Sequence, residues 1–148
     1  MIRSILVVCV GNVCRSPVGE RLLSKRLSGV EVTSAGIAAL VGKPADGTMT
    51  EVATDHGLSL DGHLARQFTA EIGAGAELIL VMEPGHKREI ARMAPELTGR
   101  MMLFDQWTGS KGIADPYRHP RESHETAFDQ LTAAADAWAA RLAPGGNQ

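Results

Sequence analysis

A short segment near the N-terminus combines a nucleophile with an anion-binding side chain. Residues 9–17 read CVGNVCRSP and follow the apolar, β-branched run at residues 5–8. Ser16 followed by proline is typical of a helix start, with Ser16 as the N-cap. A strand therefore leads through a short loop into a helix, and loop amides beside a helix N-terminus form an anion site. Cys9 at one end of this loop and Arg15 at the other predict attack on phosphorus or a similar oxyanion centre.

The loop has the composition that such a reaction needs. Gly11 allows the backbone to curl with positive φ, and the Ser16 hydroxyl can donate to a Cys9 thiolate. Cys9 taken alone would be a small buried hydrophobic residue; the glycine, the serine and the position after the first strand favour a nucleophile instead. Loop amides and the Arg15 fork would do the work of a metal ion, so we predict neither metal nor cofactor. The predicted phosphate-binding residues are Val10, Gly11, Asn12, Val13, Cys14, Arg15 and Ser16.

Length and composition exclude several classes of protein. The chain has 148 residues and a net charge of −2, which suits one domain without general nucleic-acid binding. Two cysteines in one loop are neither a disulfide framework nor a zinc ligand set, and they suggest a reducing, cytoplasmic setting. We find no signal peptide and no apolar run that would insert into a membrane. We predict a domain over residues 1–142 and a disordered tail over 143–148.

Apolar periodicity predicts strands that alternate with helices, which is typical of a parallel sheet covered on both faces. Two loops at the sheet edge are long and are expected to be functional. The predicted strands cover residues 3–8, 30–35, 77–82 and 101–104. The predicted helices cover 16–27, 48–56, 84–93 and 122–142, with a helical turn at 69–72, a connection at 58–67 and the two loops at 36–47 and 105–121.

Two separated motifs resemble those of the low-molecular-weight protein tyrosine phosphatases. Residues 7–17 resemble the family signature, a cysteine, five residues and Arg-Ser-Pro, and Asp115-Pro116-Tyr117 resembles its second motif. The resemblance covers essentially the whole chain. It implies an α/β fold with a single three-layer domain, a four-stranded parallel sheet of order 2-1-3-4 and the phosphate-binding loop after strand 1. It also implies hydrolysis of phosphotyrosine in proteins through a phosphocysteine on Cys9, with Arg15 binding the phosphoryl oxygens.

The second motif carries the residues expected to meet the leaving group. Asp115 before a proline reads, by itself, as a turn aspartate; the resemblance implies that it is the general acid and, later, the base for water. The resemblance also implies that Tyr117 lines the substrate cleft. Arg118 stands where eukaryotic members often carry another tyrosine, and it would attract acidic residues near the target. Leu40 has two possible interpretations, a core residue or a wall of the cleft.

Supporting roles are implied for several polar residues around the loop. In the family, a loop asparagine, a serine from a Ser-Ala-Gly stretch and a later histidine hold the loop by hydrogen bonds. The matching residues here are Asn12, Ser34 and His63, with Ser16 beside them. Cys14 also has two interpretations: a small side chain that fills buried space, or a redox partner that captures oxidised Cys9 as a disulfide.

The sequence fits two other chemistries on the same loop less well. A thiol-linked arsenate reductase needs further cysteines near the third strand, and residues 77–92 contain none. A non-hydrolytic phosphocysteine carrier would not need an acid at Asp115. Among tyrosine phosphatases, the chain resembles bacterial members found with exopolysaccharide or capsule systems. The partner expected from that resemblance is a phosphotyrosine protein, namely a bacterial tyrosine autokinase of polysaccharide export.

Overall fold

A parallel β-sheet forms the centre of the molecule. The computed structural model describes residues 1–143, and within them the sheet order is β2-β1-β3-β4, with parallel pairing throughout. The predicted fold class and strand order are confirmed. Apart from Ala143, the predicted tail lies outside the described residues. The strands are β1 (Ser4–Cys9), β2 (Glu31–Gly36), β3 (Leu78–Val81) and β4 (Met101–Leu103).

Helices cover both faces of the sheet because its central strands are apolar on both sides. Ile5 and Val7 of β1 belong to one buried cluster, which also contains residues of α1, α2 and α5. Leu6 and Val8 face the opposite cluster, which contains residues of α4. This alternation follows from the two-residue period of a strand. The helices are α1 (Arg15–Arg26), α2 (Gly47–Asp55), α3 (Ala70–Ala74), α4 (Pro84–Met93) and α5 (Arg121–Leu142).

The start of α1 differs from the sequence prediction. The helix begins at Arg15 with Cys14 as its N-cap, and no side chain caps it. The Ser16 hydroxyl is not available for capping, because it lies 2.9 Å from Cys9 Sγ and accepts a hydrogen bond from Asn12 Nδ2. The prediction that Ser16 is the N-cap is therefore wrong. A 3-10 helix at Pro95–Arg100 was also missed, since its six residues are too few for a periodic pattern.

The topology brings the loops after all four strands to one edge of the sheet. Cys9 at the end of β1 is in register with Gly36 at the end of β2, and Val8 is in register with Val81 of β3. Parallel strands place their carboxyl ends together, where ligands bind in open α/β sheets. Among residues 1–143, no helix combines the length and apolar character needed to cross a bilayer.

Candidate active site

The loop after β1 is held with its backbone carbonyls turned outward. We call residues 9–16 the phosphate loop. Four of its carbonyls accept hydrogen bonds from backbone amides in the segment 37–46, which we call the wall loop, and a fifth accepts one from His63. Gly36 lies directly beneath, where a Cβ would approach Val10 O to 2.4 Å. The pairs are Ile37 N to Cys9 O, Ala38 N to Val10 O, Leu40 N to Gly11 O and Asp46 N to Val13 O, at 2.9–3.0 Å, and His63 Nε2 to Asn12 O at 2.6 Å.

The amides of the phosphate loop face the other way as a result. In the described part of the chain, the backbone N–H groups of residues 11–14 have no hydrogen-bond acceptor. Consecutive N–H groups left without acceptors in a curled loop are available to form a nest that favours an anion. A cavity of about 140 Å³ opens above them, and Cys9 and Cys14 lie in its lining. The geometry therefore provides an oxyanion site with a sulfur atom at it.

A chain of hydrogen bonds directs a proton toward the Cys9 sulfur. Asn12 Nδ2 donates to Ser16 Oγ at 2.8 Å. The Ser16 hydrogen is then free for Cys9 Sγ, which lies 2.9 Å from the same oxygen. A hydroxyl that donates to sulfur stabilises a thiolate more than a thiol. The arrangement therefore places a hydroxyl donor at the sulfur of the candidate nucleophile.

Asn12 is the residue that fixes the turn of the phosphate loop. Its φ is 59°, in the left-handed region that asparagine tolerates better than most residues. Its side chain is fully bonded: Nδ2 also donates to Ser34 Oγ at 3.0 Å, and Oδ1 accepts from Arg66 N at 2.9 Å. Ser34 in turn donates to Glu20 Oε1 at 2.7 Å. The structure thus brings together Asn12, Ser34 and His63 and adds two partners, Arg66 and Glu20, that were not predicted.

Arg15 is buried and already oriented for an anion. Its side chain is 1% exposed, and its Nη1 donates to Glu83 Oε2 at 2.5 Å and to Ile113 O at 2.7 Å. Within residues 1–143, Nε and Nη2 have no hydrogen-bond partner. One side of the guanidinium is therefore fixed, and the other side presents two parallel donors, the geometry that suits two oxygens of a phosphoryl group.

Glu83 was missed by the sequence interpretation. It immediately precedes the proline that starts α4, at the carboxyl end of β3. That place next to the central strand was the available signal for a residue that contacts the loop after β1. His86, one turn later, lies 3.8 Å from Glu83 Oε2. Burial and the nearby Arg15 guanidinium lower the pKa of His86 from its ordinary value, although Glu83 and Asp115 oppose the shift.

Asp115 lies at the cavity and also forms a turn. We call residues 104–120 the acid loop. The Asp115 Oδ1 accepts a hydrogen bond from Tyr117 N at 3.1 Å, and Oδ2 lies 3.5 Å from Arg15 Nη2. Its side chain is 41% exposed, and both Asp115 and Tyr117 line the cavity over Cys9. Both sequence interpretations of Asp115 therefore describe part of its position: a turn aspartate that reaches the cavity.

The remaining cleft residues separate into two groups. Leu40 lines the cavity and is 38% exposed, which favours a wall of the cleft over a core residue. Arg118 does not line the cavity that contains Cys9. Its guanidinium instead lies 5.4 Å from the centroid of the Tyr117 ring, on the exposed side of the acid loop.

Cys14 occupies an environment that suppresses its ionisation. Burial, followed by the charges of Asp46, Cys9 and Asp115, raises the pKa of the Cys14 thiol far above its ordinary value. Both cysteines are free thiols. The proposed disulfide exchange between Cys14 and oxidised Cys9 stays a prediction.

The arrangement can perform a displacement on a phosphate ester. It provides a sulfur nucleophile, a nest of amides, a two-donor guanidinium and a carboxyl group in the lining of the same cavity as the sulfur. These are the parts that phosphoryl transfer needs, because positioning and charge stabilisation dominate that reaction.

Comparison with known proteins gives a consistent family assignment. The family model "low molecular weight phosphotyrosine protein phosphatase" matches residues 4–146. The low molecular weight protein-tyrosine-phosphatase Etp of Escherichia coli K12 is 52% identical over 139 residues, 94% of either chain. The tyrosine phosphatase Wzb of Escherichia coli K30 in complex with sulphate superposes with a TM-score of 0.94 at 45% identity, covering 96% of this chain and 99% of Wzb. Vibrio vulnificus Wzb in complex with benzylphosphonate gives the same TM-score at 47% identity, with 96% and 100% coverage.

Proposed function

The chain belongs to the low molecular weight phosphotyrosine protein phosphatase family, and on this premise we propose that it hydrolyses phosphotyrosine with Cys9 as nucleophile, Arg15 as phosphoryl clamp and Asp115 as acid and base. The observation that carries the assignment of residues is a cavity lined by two of them, with the third beside it. Cys9 and Asp115 line it, and Arg15 presents two free donors within the described residues beside Asp115.

In the first step, the Cys9 thiolate attacks phosphorus in line with the bond to the phenolic oxygen. The S–P bond forms as the P–O bond breaks, and Asp115 delivers its proton to the departing phenolate. The Ser16 hydroxyl stabilises the thiolate before attack. The nest and Arg15 bind the equatorial oxygens, where charge is largest in the transition state.

In the second step, water attacks the phosphocysteine. The Asp115 carboxylate, left unprotonated by the first step, takes the proton of the water. The S–P bond breaks, inorganic phosphate leaves and Cys9 returns to the thiolate. The two displacements replace one difficult hydrolysis.

The shape of the cavity supports phosphotyrosine as the substrate class. Cys9 is 3% exposed, so the phosphate of a substrate must reach a buried sulfur. A tyrosine side chain is long enough for this and its ring suits walls formed by Leu40 and Tyr117. A phosphoserine side chain is much shorter. Arsenate reduction is not favoured, since the chain has only two cysteines, both in the phosphate loop.

A trapping experiment tests the mechanism directly. The enzyme is mixed with an excess of aryl phosphate, quenched in acid within milliseconds and digested. We expect a phosphorylated peptide containing Cys9, and its amount should rise in Asp115→Asn if the second step is slowed more than the first. A phosphoryl group on any other residue, or turnover close to wild type in Cys9→Ser, would overturn the proposal.

Paired peptides test the substrate class. One sequence is synthesised with phosphotyrosine and with phosphoserine, and phosphate release is followed. We expect kcat/KM to be at least about 100-fold higher for phosphotyrosine, a difference of roughly 3 kcal/mol in transition-state binding. Comparable values would contradict the argument from cavity depth.

We further propose that the enzyme acts in the cytoplasm on a bacterial tyrosine autokinase of polysaccharide export. The support is the resemblance to bacterial members associated with such systems. Incubation with the autophosphorylated kinase of the same organism should remove its phosphotyrosine, with Cys9→Ser as the inactive control. An unchanged kinase would reject this partner without affecting the enzyme class.

A further inference from the structure

A second cluster of reactive side chains is buried beside the phosphate loop. Cys14, Asp46 and His124 each offer one donor atom, and these atoms lie within 4.8 Å of one another. Cys14 is 2% exposed and His124 is 1% exposed. The three residues come from the phosphate loop, the N-cap of α2 and the first turns of α5. Their wide separation in sequence hides the cluster from motif analysis.

The orientation of His124 leaves a lone pair directed at the cluster. His124 Nδ1 lies 3.2 Å from Pro120 O, and a carbonyl only accepts, so this nitrogen carries a hydrogen. In the neutral ring, Nε2 is then an acceptor. It lies 3.2 Å from Asp46 Oδ2, which is also an acceptor. Within residues 1–143, His124 Nε2 is buried and makes no hydrogen bond. Two acceptors that face each other in a buried place require something positive between them.

We propose that Cys14, Asp46 and His124 form a binding site for a thiophilic divalent cation, with Zn²⁺ as the best match. Binding of the cation releases the proton of the Cys14 thiol to solvent. A thiolate, an imidazole and a carboxylate are the donor types that zinc takes in proteins. Donors on a tetrahedral zinc ion are roughly 3.3–3.6 Å apart. The cluster, with one pair at 3.2 Å and all within 4.8 Å, needs only small side-chain movements to reach that spacing.

The surroundings hold the ligands as outer partners of a metal site do. His124 Nδ1 donates to a backbone carbonyl, which fixes the ring. Asp46 Oδ2 accepts from Met49 N at 3.0 Å, which fixes the carboxylate. The competing interpretation is a buried ion pair between a protonated His124 and Asp46. A metal and an ion pair make opposite predictions for the role of Cys14, since only a metal needs its sulfur.

The two-cysteine composition allows a clean test with Co²⁺, whose bond to thiolate gives an ultraviolet charge-transfer band. In Cys9→Ser, Cys14 is the one remaining thiol of the whole sequence. We expect titration of Cys9→Ser with Co²⁺ to give this band and the visible bands of a four-coordinate ion, and Zn²⁺ to remove them by competition. This readout needs no turnover, so it is independent of the proposed catalytic mechanism.

Variants in the same background locate the site. Adding His124→Gln should weaken Co²⁺ binding at least about 10-fold, since loss of even an outer partner of a ligand typically costs that much. His56→Gln is the matched control, because His56 lies on the exposed end of α2 near Glu125 and not in the cluster. His124→Cys, which supplies another ligand, should restore binding. Circular dichroism establishes that each variant is folded, and Asp46→Asn is the second test if His124→Gln is not.

The proposal is overturned by either of two results. One is the absence of a thiolate band in folded Cys9→Ser at saturating Co²⁺. The other is a Co²⁺ affinity that is the same in the His124→Gln and His56→Gln variants. A band that survives with equal strength in both would mean that the metal binds Cys14 without His124, and the ion pair would then be the better description of His124 and Asp46.

Discussion

The phosphate loop and the acid loop meet at one cavity but are built in opposite ways. In the phosphate loop, carbonyls from Cys9 to Val13 all have donors, and Asn12 uses its whole side chain. Around Asp115, the acid loop is exposed from residue 114 to 120, except for the buried Pro116 and half-buried Tyr117. The Asp115 side chain accepts one hydrogen bond, from its own turn.

This difference suggests a division of labour. Groups that bind developing charge must be in place before reaction, because reorganising them would cost the energy they supply. A proton donor needs only to reach the leaving oxygen, and an exposed carboxyl can exchange its proton with water between steps. Changes in the phosphate loop should therefore affect every substrate, and changes in the acid loop should depend on the substrate.

The largest effect is expected for the nucleophile. Cys9→Ser should lower kcat by at least about 10⁴-fold for every aryl phosphate, since loss of a nucleophile typically costs that much or more. The variant should still bind phosphate, because the amide nest and Arg15 are unchanged. Turnover measured with several esters, and phosphate affinity measured by calorimetry, check both parts. A loss of activity together with loss of phosphate binding would point to a collapsed loop.

The second effect tests whether the cost of a change in the acid loop depends on the substrate. Asp115→Asn should lower kcat by about 10²–10⁴-fold for phenyl phosphate, the range for loss of a general acid. The loss should be much smaller for p-nitrophenyl phosphate, whose leaving group needs no proton. The measurement is the slope of log kcat against leaving-group pKa. An equal loss for all esters would mean that Asp115 has a structural role and would remove the contrast between the loops.

The third effect compares two residues with the same backbone conformation. Asn12 and Arg118 have φ of 59° and 66°, a region that glycine adopts without cost. Asn12→Gly should lower the free energy of unfolding by about 2 kcal/mol, because buried partners lose their hydrogen bonds. Arg118→Gly should stay within about 1 kcal/mol of wild type, since its exposed side chain has no comparable bonds. Denaturant unfolding of both variants measures the difference, and equal losses would refute it.

The smallest effect concerns His86 and the dependence of the free energy of unfolding on pH. Because the pKa of His86 is lowered in the folded state, the unfolded state binds the proton more readily. Stability from this residue is present at neutral pH and is lost as pH falls below the ordinary histidine pKa of about 6.5. Wild type should therefore lose more stability than His86→Gln between pH 7.5 and pH 5. Urea unfolding at both pH values measures the loss of stability. A smaller loss in wild type than in His86→Gln would contradict the prediction.

The sequence predicted local structure and the catalytic candidates better than it predicted their partners. The alternation of apolar runs gave the strands and helices, and the strand order came from the family resemblance. The error at Ser16 arose because a serine at this place suits both a helix N-cap and a hydrogen-bond donor to a thiolate. Local helix propensity carries no information on the nearby Cys9 sulfur, so it predicted the N-cap. Glu20 and Arg66 were missed because long-range pairing decides their roles, and nothing in their own neighbourhood distinguishes them from surface charges. Glu83 was missed although its place after β3, next to the central strand, was a usable signal.

The way in which the wall loop holds the phosphate loop has a consequence for the evolution of specificity. Its four anchoring bonds are donated by backbone amides, so they survive most changes of side chain. Leu40 and Val41 at its tip are 38% and 68% exposed, and substitution there costs little stability. Selection, or a designed library, can therefore vary the surface that a target protein meets while the reaction centre remains intact. Recognition of the target and support of the reaction centre are carried by the same ten residues but are inherited separately, one through side chains and the other through the main chain.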